Sequence, residues 1–281
     1  MKAIKNILSL AIGTREDHDA DPDPAREWIG RLRHGLDWRI LLPFLFNSPL
    51  QTATMNLPSL KGTKTVEYIE YMDKLPTCKT LKTLRILDAS AGPEEVGKVL
   101  ACTPNLAKLD YEYCMHYNGN LRRTYLGKAL GHVKETLEHL RFYVYIMGPS
   151  ENIENYVFES EHCSIRDFPV LSILHISPHV LLSWFPSEAE TLGAVLPKYL
   201  KALCLNGDFA IAESNEWMGP ELIRLASDFI EGGKWREYTP ELEAFYVENP
   251  KEDEWLEPAE ETTLRELCER NGLAYENKTG F

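Results

Sequence analysis

The sequence predicts an irregular α/β solenoid, with a parallel sheet on its concave face and helices on its convex face. Three observations carry that expectation. One pattern recurs, an apolar residue, two variable ones, an apolar residue, one variable and an apolar residue again. Its copies are Leu50, Ala53, Met55; Leu81, Leu84, Ile86; Leu106, Leu109, Tyr111; Leu137, Leu140, Phe142; Leu171, Leu174, Ile176; Leu200, Leu203, Leu205; and Leu242, Phe245, Val247. The second observation is the helical spacing of the segments between copies, and the third is that no Pro/Gly/Ser-rich linker or low-complexity tract interrupts them. A strand–turn–helix unit of this kind cannot bury its apolar face alone, so copies stack side by side around a continuous core.

Within each copy the last two apolar residues flank a polar one, the period of a strand with one buried face, and the first sits in the turn that leads in. A weaker copy, Ile7, Leu10 and Ile12, precedes the series. After the acidic loop TREDHDADPDP, Asp23 and Pro24 make a helix start for Trp28, Ile29 and Leu32. The alternating Asp17, Asp19, Asp21 and Asp23 resemble a calcium loop, but Pro22 occupies the place of its central glycine and Trp28 that of its last glutamate. Val66, Ile69 and Tyr71 fit a helix better than a further strand. Helices are predicted at Val96, Val99 and Leu100 after Pro93, and at Leu126, Leu130 and Val133 after Asn120. Ser187 with Glu190 reads as a capping box ahead of Leu192, Val195 and Leu196, and Pro220 opens a helix with Leu222, Leu225 and Phe229. The units are unevenly spaced, from 25 residues between Leu81 and Leu106 to 42 between Leu200 and Leu242. One domain is expected over 1–281, ending in an acidic cap region at about 237–281.

Composition narrows the partners. The 281 residues are 44% hydrophobic, enough for a sizeable core, and 43 acidic against 30 basic residues leave a formal charge of −13. That balance repels phosphate backbones and anionic headgroups, so neither nucleic acid nor membrane is expected as a partner. Between Glu237 and Phe281 stand 13 acidic and 4 basic residues, read as a solvated face. The six cysteines form no CxxC and read as reduced, mostly buried thiols. No apolar run approaches the roughly 18 residues of a membrane helix, and the MKAIKNILSLAIG start has a short apolar segment with no cleavage site. An intracellular location, cytoplasmic or nuclear, is expected.

The copy Leu106, Leu109, Tyr111, Cys114 matches the leucine-rich-repeat template LxxLxLxxC with tyrosine in one apolar slot. With its long irregular repeats, lead-ins such as Pro169 to Ile176 and the ending LRELCERNGLAY, the chain resembles the leucine-rich-repeat part of fungal F-box-like proteins. The resemblance implies capture of a target protein, with ubiquitin-ligase components as further partners. The F-box itself is not expected, because Met1 opens almost directly on Ile7 to Ile12. An uncapped first strand offers an alternative role, an assembly scaffold that self-associates through its N-terminal end.

No GxSxG, Walker loop, HExxH or glycine-rich dinucleotide fingerprint is present, so neither an enzyme nor a cofactor or metal site is expected. His175 and His179 have the helical spacing of metal ligands, but Pro178 lies between them and they read as a surface pair. Binding is expected instead on the polar strand face. The residue between the two apolar strand positions points away from the core, giving the row Ala11, Thr54, Arg85, Asp110, Arg141, His175, Cys204 and Tyr246, on strands about 4.8 Å apart. Lys108, Glu112, His139 and Tyr143 flank it. Charged and aromatic side chains of the kind favoured at hot spots select Arg85, Asp110, Glu112, His139, Arg141, Tyr143, His175 and Tyr246 as candidate protein-binding residues. On this reading Arg141→Ala and Tyr143→Ala would weaken capture and leave stability nearly intact.

Overall fold

Every copy of the apolar pattern from Leu50 onward becomes a strand of one parallel sheet. The structure, a computed structural model, describes residues 50–57, 76–116, 120–121, 123–147, 157–158, 165–207, 217–248 and 256–275. The Ile7 to Ile12 copy, the acidic loop and the helix expected after it, the 65–72 segment and Cys163 lie outside these residues.

In chain order the strands are β1 (Thr52–Asn56), β2 (Thr83–Ala89), β3 (Lys108–His116), β4 (Asn120–Leu121), β5 (His139–Met147), β6 (Val157–Phe158), β7 (Ile173–Ile176), β8 (Ala202–Asn206) and β9 (Ala244–Glu248). The two-residue β4 and β6 pair with each other, and the other seven form one open, all-parallel sheet in the order β1-β2-β3-β5-β7-β8-β9. Chain order and spatial order therefore coincide.

A regular backbone spine produces that order. At the start of each strand an amide donates to a carbonyl of the preceding unit: Thr83 to Gln51 (2.9 Å), Lys108 to Lys82 (2.9 Å), His139 to Ala107 (3.0 Å), Ile173 to Glu138 (3.1 Å), Ala202 to Ser172 (3.0 Å) and Ala244 to Lys201 (3.1 Å). Ala274 donates to Glu243 at 2.9 Å and pairs with Ala244, so the end of LRELCERNGLAY adds a seventh bond to the spine. Thr136 Oγ1 to Leu106 O (2.8 Å) and Ser172 Oγ to Glu138 O (3.1 Å) fasten neighbouring lead-in turns.

Among the described residues seven helices lie between or after the strands: α1 (Pro93–Ala101), α2 (Arg123–Gly131), α3 (Pro178–Leu181), α4 (Leu192–Val195), α5 (Gly219–Ile230), α6 (Trp235–Tyr238) and α7 (Pro258–Arg270). Helices α1, α3, α5 and α7 start with proline in the first turn, where its missing N–H costs nothing. Glu95 and Glu260 each accept a backbone amide at the head of their helix, at 2.8 and 2.9 Å. Helices α1 and α2 approach closely through Gly97, where an added Cβ would stand 3.1 Å from that of Ala129. The predicted capping box at Ser187 does not form. Ser187 lies in a 3₁₀ turn, Pro186–Glu188, and α4 is a single turn that starts only after Thr191. Pro197 stops it, because the residue before a proline is pushed to extended geometry and Leu196 has ψ 144°.

The sheet has two unlike faces. Leu84, Ile86, Leu109, Leu140, Leu174, Ile176, Leu203 and Leu205 are at most 1% exposed and join Val96, Leu100, Leu126, Leu130, Leu222 and Phe229 of the helices in one core. Cys78, Cys102, Cys114, Cys204 and Cys268 are in no disulfide, and all but Cys102 are buried. Among the described residues no helix is long and apolar enough to cross a membrane.

Candidate functional site

The residues between the apolar strand positions stand in register across the whole sheet: Thr54, Arg85, Asp110, Arg141, His175, Cys204 and Tyr246 are successive partners from β1 to β9. Glu112 lies opposite Tyr143, and Lys108 opposite His139. The alternating charges meet as ion pairs. Asp110 Oδ2 accepts from Arg85 Nε at 3.0 Å and lies 3.5 Å from Arg141 Nη1. The Asp110 side chain is 1% exposed, whereas those of Arg85 and Arg141 keep 40% and 23%. A buried carboxylate thus fixes two guanidinium groups whose outer edges face solvent.

Beyond the row the sheet is notched. Strand β7 stops at Ile176 because Ser177 and Pro178 turn the chain into α3, where Ser177 Oγ accepts from the His179 amide at 3.2 Å. Pairing between β5 and β7 accordingly ends at Arg141 and His175. Side chains from both flanks fill the gap. Asn206 of β8 donates from Nδ2 to the Phe142 carbonyl of β5 at 3.1 Å, two strands away. The Tyr143 hydroxyl donates to Glu248 Oε2 of β9. With its proton given to Glu248, the Tyr143 oxygen accepts from Arg141 Nη2 at 3.1 Å and from His175 Nε2 at 3.0 Å. His175 Nε2 is also 2.6 Å from Glu248 Oε2. The Arg141 guanidinium stacks 4.4 Å over the Tyr143 ring, and the Tyr145 ring is stacked with it at 6.1 Å.

Burial and charge act against each other here. Burial would raise the Glu248 carboxyl, but hydrogen bonds from His175 and Tyr143, with Arg141 beyond, outweigh it and hold the group below the usual carboxylate range. Burial, and then Glu248, push the Tyr143 hydroxyl well up, so it stays a donor. Burial also works against the charge of Arg141, which Tyr143, Asp110 and Glu248 restore. His139 is shifted down by burial and by Lys108, and Tyr246, its ring 5.8 Å from Tyr275, is shifted up by burial and by Cys204 and Glu248.

Three predicted site residues differ from expectation in exposure. Asp110, Tyr143 and His175 are buried, at 1%, 6% and 1%, Asp110 between Arg85 and Arg141 and the other two within the notch network. Tyr143→Ala therefore cannot leave stability intact. His175 and His179 are no surface pair: His179 is buried as well, against Trp184 at 4.8 Å, and sits in α3 while His175 faces the polar row. Arg85, Glu112, His139, Arg141 and Tyr246 are half-buried on the polar face.

Sequence reasoning passed over Glu248 and Asn206, and placed Cys204 in the row without giving it a role. A ring nitrogen of His175, Cys204 Sγ and a Glu248 carboxylate oxygen lie within 4.8 Å of one another. Their positions along the chain carry no ligand motif, because the three strands bring them together across 73 residues. The readable signal is the row itself, in which His175 and Cys204 occupy equivalent positions of adjacent units. Compared with known proteins, the chain matches no family model, no curated protein and no solved structure.

Proposed function

We propose that the chain is a leucine-rich-repeat-like solenoid that binds a target protein over the polar face of its sheet and catalyses no reaction. The observation that carries this reading is the Arg85–Asp110–Arg141 arrangement. Arginine is favoured at binding hot spots, and a guanidinium already held by a buried carboxylate loses less freedom when a partner docks. Tyr145, 43% exposed and stacked on Tyr143, adds an aromatic contact beside the arginines. The partner chemistry that fits is a surface offering carboxylates or carbonyls to the two guanidinium edges and an apolar contact to Tyr145. The seven-bond spine supports stacking of like units, with the sheet as the concave side.

The test is affinity purification from the source cells with the wild-type chain as bait. A protein recovered with it and lost with an Arg85→Ala/Tyr145→Ala variant of normal stability supports the reading. Recovery of a cullin-type ligase core would extend it to the adaptor role that the sequence resemblance implies. Recovery of the chain's own copies alone would replace it with the assembly-scaffold alternative.

A further inference from the structure

We propose that His175, Cys204 and Glu248 form a binding site for a divalent metal ion of the zinc class, a structural clamp across β7, β8 and β9 at the notch. Three ligand types converge there, an imidazole nitrogen, a thiol sulfur and a carboxylate oxygen, all within 4.8 Å of one another. This donor set is what zinc takes, whereas magnesium and calcium prefer oxygen alone.

The placement is built into the sheet. His175 and Cys204 are register partners on adjacent strands, so their side chains leave the same face side by side. Glu248 lies one strand further and one step along that face, opposite Asn206. His175 and Cys204 are each 1% exposed, so the ligands are held in a packed wall, while Glu248, at 30% for its side chain, marks the open edge through which an ion would enter.

Two buried polar atoms, one on a cluster residue and one beside it, add to the case for a ligand here. His175 Nδ1 and Asn206 Oδ1 are enclosed without a hydrogen-bond partner, and Asn206 stands two residues from Cys204 on the same strand face. Buried polar atoms normally find partners, and those that do not call for an explanation such as an ion. The Tyr143 hydroxyl, already on His175 Nε2 and Glu248, borders the cluster and can hydrogen-bond a water that completes the shell.

Zinc bond lengths of about 2.0–2.3 Å put tetrahedral ligand atoms about 3.4–3.6 Å apart. The 2.6 Å contact between His175 Nε2 and Glu248 Oε2 then opens by roughly 0.8 Å if that nitrogen is the ligand. On binding, the Cys204 thiol proton leaves to solvent as the sulfur–metal bond forms, the proton His175 carries on Nε2 shifts to Nδ1 when Nε2 is the ligand, and no oxidation state changes.

The experiment uses the full chain, stripped with a chelator and titrated with cobalt(II) as a spectroscopic substitute and then with zinc(II). One equivalent of cobalt should produce a near-ultraviolet thiolate-to-cobalt charge-transfer band that zinc discharges. Cys204→Ser should abolish the band and His175→Ala should weaken binding by at least tenfold. Cys114→Ser, which changes another cysteine on the same sheet face, should keep both. Absence of the band in the wild type, or its persistence in Cys204→Ser, overturns the proposal. If Cys204→Ser does not fold, X-ray absorption of the zinc-loaded wild type decides. One sulfur at about 2.3 Å with nitrogen and oxygen ligands at about 2.0–2.2 Å supports the site, and a shell with no sulfur or with two or more overturns it.

Discussion

The two faces of the sheet are made from the same strands, yet they are organised on different principles. On the helix side, equivalent positions carry interchangeable apolar residues: Leu84, Leu109, Leu140, Leu174 and Leu203 occupy one buried line, and each contributes by area alone. On the other side no two neighbours in the row are alike, and Asp110, Tyr143, His175, Asn206 and Glu248 depend on particular partners. The first arrangement tolerates conservative exchange, since burial is nondirectional and volume-conserving swaps cost little. The second does not, because a buried polar atom that loses its partner keeps the full cost of desolvation. A fold needs only the first kind of face. The specificity of the second is what makes it the candidate for function.

Substitutions on the two faces sharpen the contrast. The largest effect is expected on the apolar side, where Leu109→Ala or Leu140→Ala leaves a cavity beneath the helices and should cost about 2–5 kcal/mol in urea unfolding. Leu140→Met should cost much less. Asp110→Ala comes next. Removing one partner of a buried pair costs about 3–5 kcal/mol, and the solvent exposure of Arg85 and Arg141 brings the expected loss nearer to about 2 kcal/mol. Unfolding that costs the same for Asp110→Ala as for an exposed acid such as Glu269→Ala would show that the row is not organised around Asp110.

Tyr143→Phe keeps the ring and removes only the hydroxyl shared by Arg141, His175 and Glu248, for an expected loss of about 1–3 kcal/mol. Combined with Glu248→Gln it should be non-additive, because the two side chains belong to one network. Strict additivity would mean that the notch residues do not act together.

A smaller effect concerns pH. Burial and Lys108 hold the His139 pKa below its ordinary value, so the unfolded chain binds this proton more readily than the folded one. The contribution of His139 is therefore fully present above the unfolded histidine pKa of about 6.5 and is lost as pH falls toward the folded value. His139→Gln should flatten that part of the stability–pH curve, measured from denaturant midpoints. On the helix surface, Lys128→Ala should change stability by no more than about 0.5 kcal/mol.

Much of this architecture was legible in the sequence. The apolar triads located all seven strands of the main sheet, and placing the intervening residue of each on one line gave the Arg85 to Tyr246 row in its observed register. Period-2 alternation does this because it fixes which side chains share a face once the strands pair in order. The notch was not legible. It depends on β7 ending at Ile176, where Ser177 and Pro178 start a helix, and on Tyr143 reaching Glu248, 105 residues away. Exposure was misjudged for a related reason. A polar residue on an outward face looks solvated in sequence, but here Tyr143, Asn206 and Glu248 close over His175. The last rung at Ala274 was hidden because its unit has Gly272 where every other carries leucine.

The division of labour between the faces is tested most directly by measuring binding and melting on the same variants. The partner identified by affinity purification would be titrated against wild type, Arg85→Ala/Tyr145→Ala and Lys128→Ala, with a thermal melt of each. Both side chains are substantially exposed, and Asp110 keeps Arg141 at 3.5 Å when Arg85 is truncated, so its buried carboxylate is not left without a counter-charge. The double variant should therefore melt close to wild type yet bind at least tenfold more weakly, while Lys128→Ala matches wild type in both. Equal affinity for all three proteins would contradict the account and remove the polar face as the binding surface.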